Sequence, residues 1–395
     1  MKKQILFVDD EIDVLQGLRR MLRGMRNEWS MSFASSGEEA LNLMADVAID
    51  VIVSDLRMPG MDGIELLGKI REKHPDCVRI VLSGQSKMET VMHLLGIAHQ
   101  YLSKPCDAEL LKSTVNRSCT LREAVSNKSI VKIIAKIDTV PSLPSVYTEL
   151  IAELQSENSS MKKVGDIVSR DVGMTAQILK LANSSYFGLP RHVSSPTDAT
   201  ILLGVETITA LVLSVHTFSQ FDIKKTLGLS IDDVTFHSLE IGRLANKIAV
   251  KEKINKSGRD HALLGGLLHD CGKLVLAANM SDDYISTLEL MNSEHIGFAE
   301  AEKKVFGTTH AEVGGALLGI WGLPDPVVEA VTFHHTPELA PHSEFSPLMA
   351  VHVANCLFHK KNNGNNLNEN VNINLDCLTQ LKMIDKIPNW QALLN

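Results

Sequence analysis

Four apolar runs in the first 105 residues each stop at a polar residue of a particular kind, and this limits the fold more than any other feature. Ile5-Leu6-Phe7-Val8 ends in Asp9-Asp10. Val51-Ile52-Val53-Ser54 ends in Asp55, followed by Leu56-Arg57-Met58-Pro59-Gly60. Val81-Leu82 ends in Ser83-Gly84, and Tyr101-Leu102-Ser103 ends in Lys104-Pro105. Short apolar runs bounded by turn-forming residues read as buried strands. Strands are expected at 4–9, 30–34, 50–54, 78–82 and 99–102, with amphipathic helices at 11–26, 37–46, 62–73, 86–97 and 107–120. Five strands alternating with five helices make a doubly wound five-stranded parallel sheet. Such sheets bind ligands at the carboxyl ends of their strands, near the switch in strand order. The two acid-bearing strand ends fit that rule.

From about residue 120 the pattern changes. Leu121 to Ala135 reads as one helix, and no strand-like run is expected between 140 and 395. Ser160 before 161–170, Asp171 before 172–183, Ser195-Pro196 before 197–203 and Ser346-Pro347 before 348–359 each resemble an N-cap or an N-terminal proline. The expected organisation is an α/β domain at 1–120, a helical linker at 121–136 and an all-α domain at 137–395. A polar, Asn-rich loop is expected at 360–374 and a last helix-like segment at 375–394.

Composition excludes some function classes. The net charge of −8 weighs against a general binder of nucleic acid or anionic membranes. No apolar run approaches the roughly 20 residues needed to span a bilayer. The first strand begins right after Met1-Lys2-Lys3-Gln4, so a signal peptide is not expected. The six cysteines (77, 106, 119, 271, 356, 377) are scattered, with no CxxC pair, and read as free thiols in a reducing compartment. A cytoplasmic protein is the expectation.

Three carboxylates at neighbouring strand ends repel one another unless a cation joins them. Oxygen-only ligands suit Mg2+. Asp10 and Asp55 are the expected direct ligands, with Asp9 acting through water and the backbone carbonyl of Arg57 completing the set. Asp55 is then placed to accept a phosphoryl group as an acyl phosphate. Lys104 neutralises the transferred group, and Ser83 donates a hydrogen bond to it. Taken singly, each acid reads as a turn residue after a strand. Taken together with Ser83 and Lys104, they read as a phosphoacceptor site.

These first 120 residues resemble the response-regulator receiver family. That resemblance implies a sensor histidine kinase or phosphotransfer protein as phosphoryl donor. It also implies that Tyr101 turns inward when Ser83 moves toward the phosphoryl group. The face that changes is then helix 86–97, strand 99–102 and helix 107–120. Homodimerisation through that face or through the linker helix is compatible with it.

Nine of the 15 histidines fall between 237 and 352. They include His237, the doublet His269-Asp270 in Leu267-Leu268-His269-Asp270-Cys271-Gly272-Lys273, His310, and the pair His334-His335. Imidazoles with an aspartate can hold a transition metal such as Fe, Mn or Zn. The doublet with its Gly and Lys resembles the HD superfamily of metal phosphohydrolases. That resemblance implies a late aspartate, and the best-placed late position is Asn355. No Gly-Tyr-Pro follows His334-His335, where the cyclic di-GMP phosphodiesterases have one.

A further resemblance is to the HDOD family of HD-related output domains. It is carried by Val140-Pro141-Ser142-Leu143-Pro144, Ile167-Val168-Ser169-Arg170-Asp171-Val172-Gly173-Met174-Thr175, Leu179-Lys180-Leu181-Ala182-Asn183-Ser184-Ser185-Tyr186-Phe187-Gly188 and Ala199-Thr200-Ile201-Leu202-Leu203-Gly204. It implies an all-helical output domain without phosphohydrolase activity, although Asp171-Val172 stands where the family often has Asp-Pro. Three readings of the histidines therefore stay open: a buried polar network, a metal site without efficient turnover, and hydrolysis of a cyclic dinucleotide or nucleotide. Asn183-Ser184 has two, a helix terminator or part of a groove for a peptide or small ligand. The expected function is that of a response regulator whose output domain binds a downstream signalling protein. The alternative is a receiver-controlled metal phosphohydrolase.

Overall fold

The computed structural model of the chain describes residues 2–84, 97–124, 134, 144–154, 156, 159–184, 192–213, 231–340, 344–361 and 372–394. The first part alternates β1 (Lys3–Val8), α1 (Ile12–Met21), β2 (Trp29–Ala34), α2 (Gly37–Asp46), β3 (Val51–Ser54), α3 (Gly63–Lys73), β4 (Val78–Ser83), β5 (Gln100–Ser103) and α4 (Ala108–Ala124). All strand pairs are parallel, in the order β2-β1-β3-β4-β5. Residues of β3 and β4 are buried throughout, as expected of a parallel sheet covered on both faces. The order reverses between β1 and β3. Val8 pairs with Ser54, so Asp9 and Asp55 leave the sheet side by side at its carboxyl edge.

Local chemistry sets the helix starts. The Ser36 hydroxyl accepts from the Glu39 amide and the Asp62 carboxylate from the Glu65 amide, each satisfying a donor that has no partner within its helix. The helix predicted over 11–26 ends at Met21, and a 3-10 turn (Arg23–Asn27) follows it. The helix predicted over 86–97 lies almost wholly outside the described residues. The predicted 121–135 helix is described only at 121–124, where it continues α4, and at residue 134, which is helical.

The second part is helical, with no strand among its described residues: α5 (Pro144–Leu154), α6 (Met161–Val168), α7 (Val172–Ala182), α8 (Pro196–Leu213), α9 (Ile231–Lys251), α10 (Lys256–Leu268), α11 (Cys271–Asn279), α12 (Ser281–Glu294), α13 (Phe298–Phe306), α14 (His310–Ile320), α15 (Asp325–Phe333), α16 (Pro347–Lys361), α17 (Leu375–Gln380) and α18 (Ile387–Gln391). Ser160, Asp171, Ser195 and Ser346 all accept from a backbone amide three residues on, as N-caps do. Two lengths differ from expectation. Helix α8 runs past residue 203 through a kink at Gly204, whose φ of 76° a glycine adopts without strain. The segment 375–394 is broken at Lys382, which has a φ of 56°, and restarts as a 3-10 turn and α18.

Apolar packing is continuous from the sheet into the helices. Cys119 of α4 and Trp321, Leu323 and Val327 around the α14–α15 turn belong to one buried cluster. A second cluster joins α9, α10 and α16 to the C-terminal helices through the fully buried Trp390.

Candidate functional site

The acid pair, Asp55 and Lys104 meet at the carboxyl edge of the sheet. Asp9 and Asp55 are buried, at 2% and 7% exposure, while Asp10 is half-buried. Lys104 Nζ lies 2.6 Å from Asp9 Oδ2 and 3.0 Å from Asp55 Oδ1. Burial opposes the charge on Lys104, but its bonds to the two carboxylates outweigh that and raise its pKa. The Lys104-Pro105 bond is cis. The Glu11 amide donates to Asp9 Oδ1 at 3.1 Å and the Arg57 amide to Asp55 Oδ2 at 3.0 Å. Ser83 is buried at the end of β4, and Tyr101 is buried with its hydroxyl donating to the Gly84 carbonyl at 3.1 Å. Asp9 and Asp55 share the Lys104 ammonium and Asp10 adjoins Asp9 in sequence, so among the described residues this edge gathers negative charge on oxygen atoms. That donor set fits Mg2+.

The histidines gather around Asp270, a residue 2% exposed at the start of α11. Two groups have their ligand atoms within 4.8 Å of one another: His237, His269 and Asp270, and His310, His334 and His335. Asp270 faces both. Its Oδ2 lies 3.4 Å from His269 Nε2 and 3.8 Å from His237 Nε2. Its Oδ1 lies 3.2 Å from His310 Nε2 and 4.0 Å from His334 Nε2. Lys273 Nζ binds Oδ2 at 2.9 Å.

Hydrogen bonds assign the tautomers. His269 Nδ1 sits 2.7 Å from the Gly266 carbonyl and His334 Nδ1 2.8 Å from the Val331 carbonyl, so each Nδ1 carries the proton. Each Nε2 is therefore unprotonated: that of His269 lies 3.2 Å from His237 Nε2, which can donate to it, while that of His334 faces the ionised Asp270 carboxylate at 4.0 Å. His334 Nε2 and both polar side-chain atoms of Asn355 are buried with no hydrogen-bond partner. A lone pair facing an anion repels it unless a cation lies between them. Imidazoles that turn the other nitrogen to a carbonyl or carboxylate are the usual form of metal-binding histidines. His310 completes the pattern: its Nδ1 lies 2.6 Å from Glu302 Oε2.

The electrostatics agree. Burial holds His269 and His334 below the usual imidazole range, and burial with nearby His269 pushes His237 down to about 3. Those rings are neutral, the form that binds metal. Burial disfavours charge on His310, yet Glu302 and Asp270 overcome it and push it up to about 9. Burial likewise opposes ionisation of Asp270, but His269, Lys273 and His310 hold it well below the usual carboxylate range. His237, His269, His334 and Asp270 fit a transition metal in donor type and protonation, whereas His310 has to release its proton to join them.

Glu302 and His359 belong to this site without having been singled out in the sequence, and Lys273, the lysine of the His-Asp motif, joins it through Asp270. The His359 ring packs against His237 with centroids 4.9 Å apart, one turn after Asn355 on α16. Glu302 stands eight residues before His310 with no motif around it. His352 lies elsewhere in the network, bonded to the His334 carbonyl and the Asn374 amide. Asn183 ends α7: its amide donates to the Leu179 and Val193 carbonyls and its oxygen accepts from the Val193 amide, while the Ser184 hydroxyl donates to the Leu181 carbonyl.

Helix α11 can approach α14 only because residue 272 has no side chain. A Cβ on Gly272 would sit 2.0 Å from the His310 carbonyl oxygen. Backbone on both sides leaves little room to adjust. Gly272→Ala is expected to cost about 1–3 kcal/mol, read as a lower urea midpoint with an unchanged slope.

Comparison with known proteins follows this geometry. The HDOD domain model matches residues 140–337 and the response regulator receiver domain model matches residues 5–116. A Treponema pallidum (strain Nichols) protein named only as uncharacterized is 25% identical over 253 residues, which is 62% of this chain and 46% of that protein. The hydrogenase transcriptional regulatory protein HoxA of Cupriavidus necator is 37% identical over 116 residues, 29% of this chain and 23% of HoxA. The chain thus spans less than half the length of either relative. A solved structure of the MmoQ response regulator of Methylococcus capsulatus matches 64% of this chain and 97% of its own, at 19% identity and a TM-score of 0.49. The parallel sheet with its acidic edge and the helices around the His/Asp cluster coincide with these two domains, which together make a response regulator with a helical output domain. The chain belongs to the HDOD domain family and carries a receiver domain ahead of that domain. No helix among the described residues is long and apolar enough to cross a membrane.

Proposed function

We propose that the protein is a phosphorylation-controlled response regulator. A sensor histidine kinase or phosphotransfer protein donates a phosphoryl group to Asp55, with Mg2+ held by Asp9, Asp10, Asp55 and the Arg57 carbonyl. The HDOD domain is the output and binds a downstream signalling protein in the cytoplasm. The observation that carries this reading is Lys104 lying between Asp9 and Asp55 while Ser83 and Tyr101 stand at the neighbouring strand ends. Asp55 attacks the donor phosphorus through a carboxylate oxygen and the donor's leaving group departs, giving an acyl phosphate. Lys104 then moves from the carboxylates to the phosphoryl oxygens, and Ser83 donates to one of them.

Mg2+ with acetyl phosphate tests the switch. The wild type is expected to take up acid-resistant, hydroxylamine-labile label and to change its tryptophan emission, since Trp321 is buried where α4 meets the helical domain. In Lys104→Ala the label remains and the emission change is lost. An emission change that persists in Lys104→Ala removes Lys104 from the switch.

A second reading of the helical domain rests on Asp270 standing between two histidine groups. We propose that His237, His269, Asp270, His310, His334 and His335 hold Fe, Mn or Zn. Such a metal lowers the pKa of a bound water and polarises a phosphoester. Asn355, where a carboxylate would complete the set, makes binding without efficient turnover the better reading than hydrolysis of a cyclic dinucleotide.

A further inference from the structure

Two receiver side chains grip one turn of the helical domain. The Gln100 side-chain amide, at the start of β5, donates to the Ile320 carbonyl at 2.8 Å. Ile320 closes α14, where the last carbonyls have no partner within their own helix. Arg117 of α4 donates to the Leu323 carbonyl and pairs with the Asp325 carboxylate at 3.0 Å. Asp325 opens α15. Between them Gly322 turns the chain with a φ of 79°, and the Lys180 ammonium lies 4.8 Å above the Trp321 ring.

The gripped turn joins two helices that carry the histidine cluster at their other ends. Helix α14 begins with His310, and α15 runs into His334-His335. The two helices pack too closely to slide independently. A Cβ on Gly315 would meet Thr332 Oγ1 at 1.9 Å, and one on Gly314 would meet Val331 at 3.2 Å. An 11-residue helix is about 16 Å long, so a displacement at the turn is delivered across that length to His310, His334 and His335. At the receiver end, Gln100 directly precedes Tyr101, whose hydroxyl holds the Gly84 carbonyl next to Ser83. At the same edge Lys104 bridges Asp9 and Asp55.

We infer that the α14–α15 turn is the receiver's docking point on the helical domain, that Gln100 and Arg117 hold it there, and that phosphorylation of Asp55 releases this hairpin and loosens the histidine cluster. The inference rests on the phosphoacceptor reading above and supplies its route onward.

Hydrogen exchange of the full chain in Mg2+, with and without beryllofluoride as acyl-phosphate mimic, tests it. Beryllofluoride is expected to slow exchange in the receiver around residues 55–60 and 83–84. It is expected to raise exchange in residues 310–335 by about 10-fold or more, as side-chain hydrogen bonds to the turn are lost. Gln100→Ala/Arg117→Ala should show the faster hairpin exchange without beryllofluoride and no further increase with it, while its receiver amides still respond. Arg117→Ala alone, a milder change, should give an intermediate rate. A receiver that responds while the wild-type hairpin does not overturns the inference and leaves Asp55 as acceptor. A double variant whose hairpin behaves as wild type overturns it as well. A receiver that does not respond overturns the acceptor reading, and this inference with it.

Discussion

Asp55→Asn abolishes labelling of the protein by a small acyl-phosphate donor in Mg2+, with label on the wild type mapping to the peptide that contains Asp55. The carboxylate supplies the nucleophilic oxygen, and the neutral amide of asparagine is a far weaker nucleophile at the same position. The substitution leaves the fold intact, because the Arg57 amide can donate to the asparagine oxygen as it does to Asp55 Oδ2. Asp9, Asp10 and Lys104 remain in place, but Asp55 is also a proposed Mg2+ ligand, so Mg2+ binding to the variant is measured alongside: label lost at saturating Mg2+ reports loss of the acceptor. Intact labelling of Asp55→Asn would place the acceptor on another residue and leave the carboxylate edge as a cation site only.

Asp270→Asn strips the helical domain of its metal. Wild-type protein purified without chelator is expected to contain Fe, Mn or Zn by elemental analysis. The variant is expected to bind the same ion at least about 100-fold more weakly, since losing even a supporting partner of a ligand costs 10–100-fold. Asp270 is the residue both histidine groups share, one oxygen toward each, so one substitution reaches both. It also leaves the Lys273 ammonium, 2% exposed, without its 2.9 Å carboxylate partner. Weakening a buried ion pair lowers stability, so the variant melts lower and metal content is measured well below its melting temperature. Wild-type protein free of metal even after incubation with each ion would sink the metal reading. The histidines would then be a polar network that pins α9, α11, α14 and α15 together.

The acidic edge of the sheet was legible because its parts are strand ends. A parallel sheet brings the carboxyl ends of its strands to one edge, so Asp9, Asp55, Ser83 and Lys104 meet whatever the loops between them do. Helix starts were legible for a similar reason: Ser160, Asp171, Ser195 and Ser346 act on amides three residues away, within reach of local chemistry. The break at Lys382 was not, since a lysine at positive φ carries no sequence signal.

The histidine cluster was legible in residue type and not in arrangement. His269-Asp270 and His334-His335 stand out as pairs, but their division into two groups around one carboxylate depends on how α9, α11, α14 and α15 pack. Glu302 was invisible because nothing near it marks a histidine partner. Gln100 and Arg117 read as ordinary polar residues on a receiver surface.

By itself, then, the amino-acid order determined the sheet, its acidic edge and the capped helices, all set by contacts within a strand, a turn or a fixed sheet rule. Tertiary structure alone decided that Asp270 is shared between two histidine groups and that Arg117 reaches the Leu323 carbonyl, 206 residues away. Such contacts come from helix faces brought together by burial of apolar side chains, and no local pattern encodes which polar groups will end up facing each other across them.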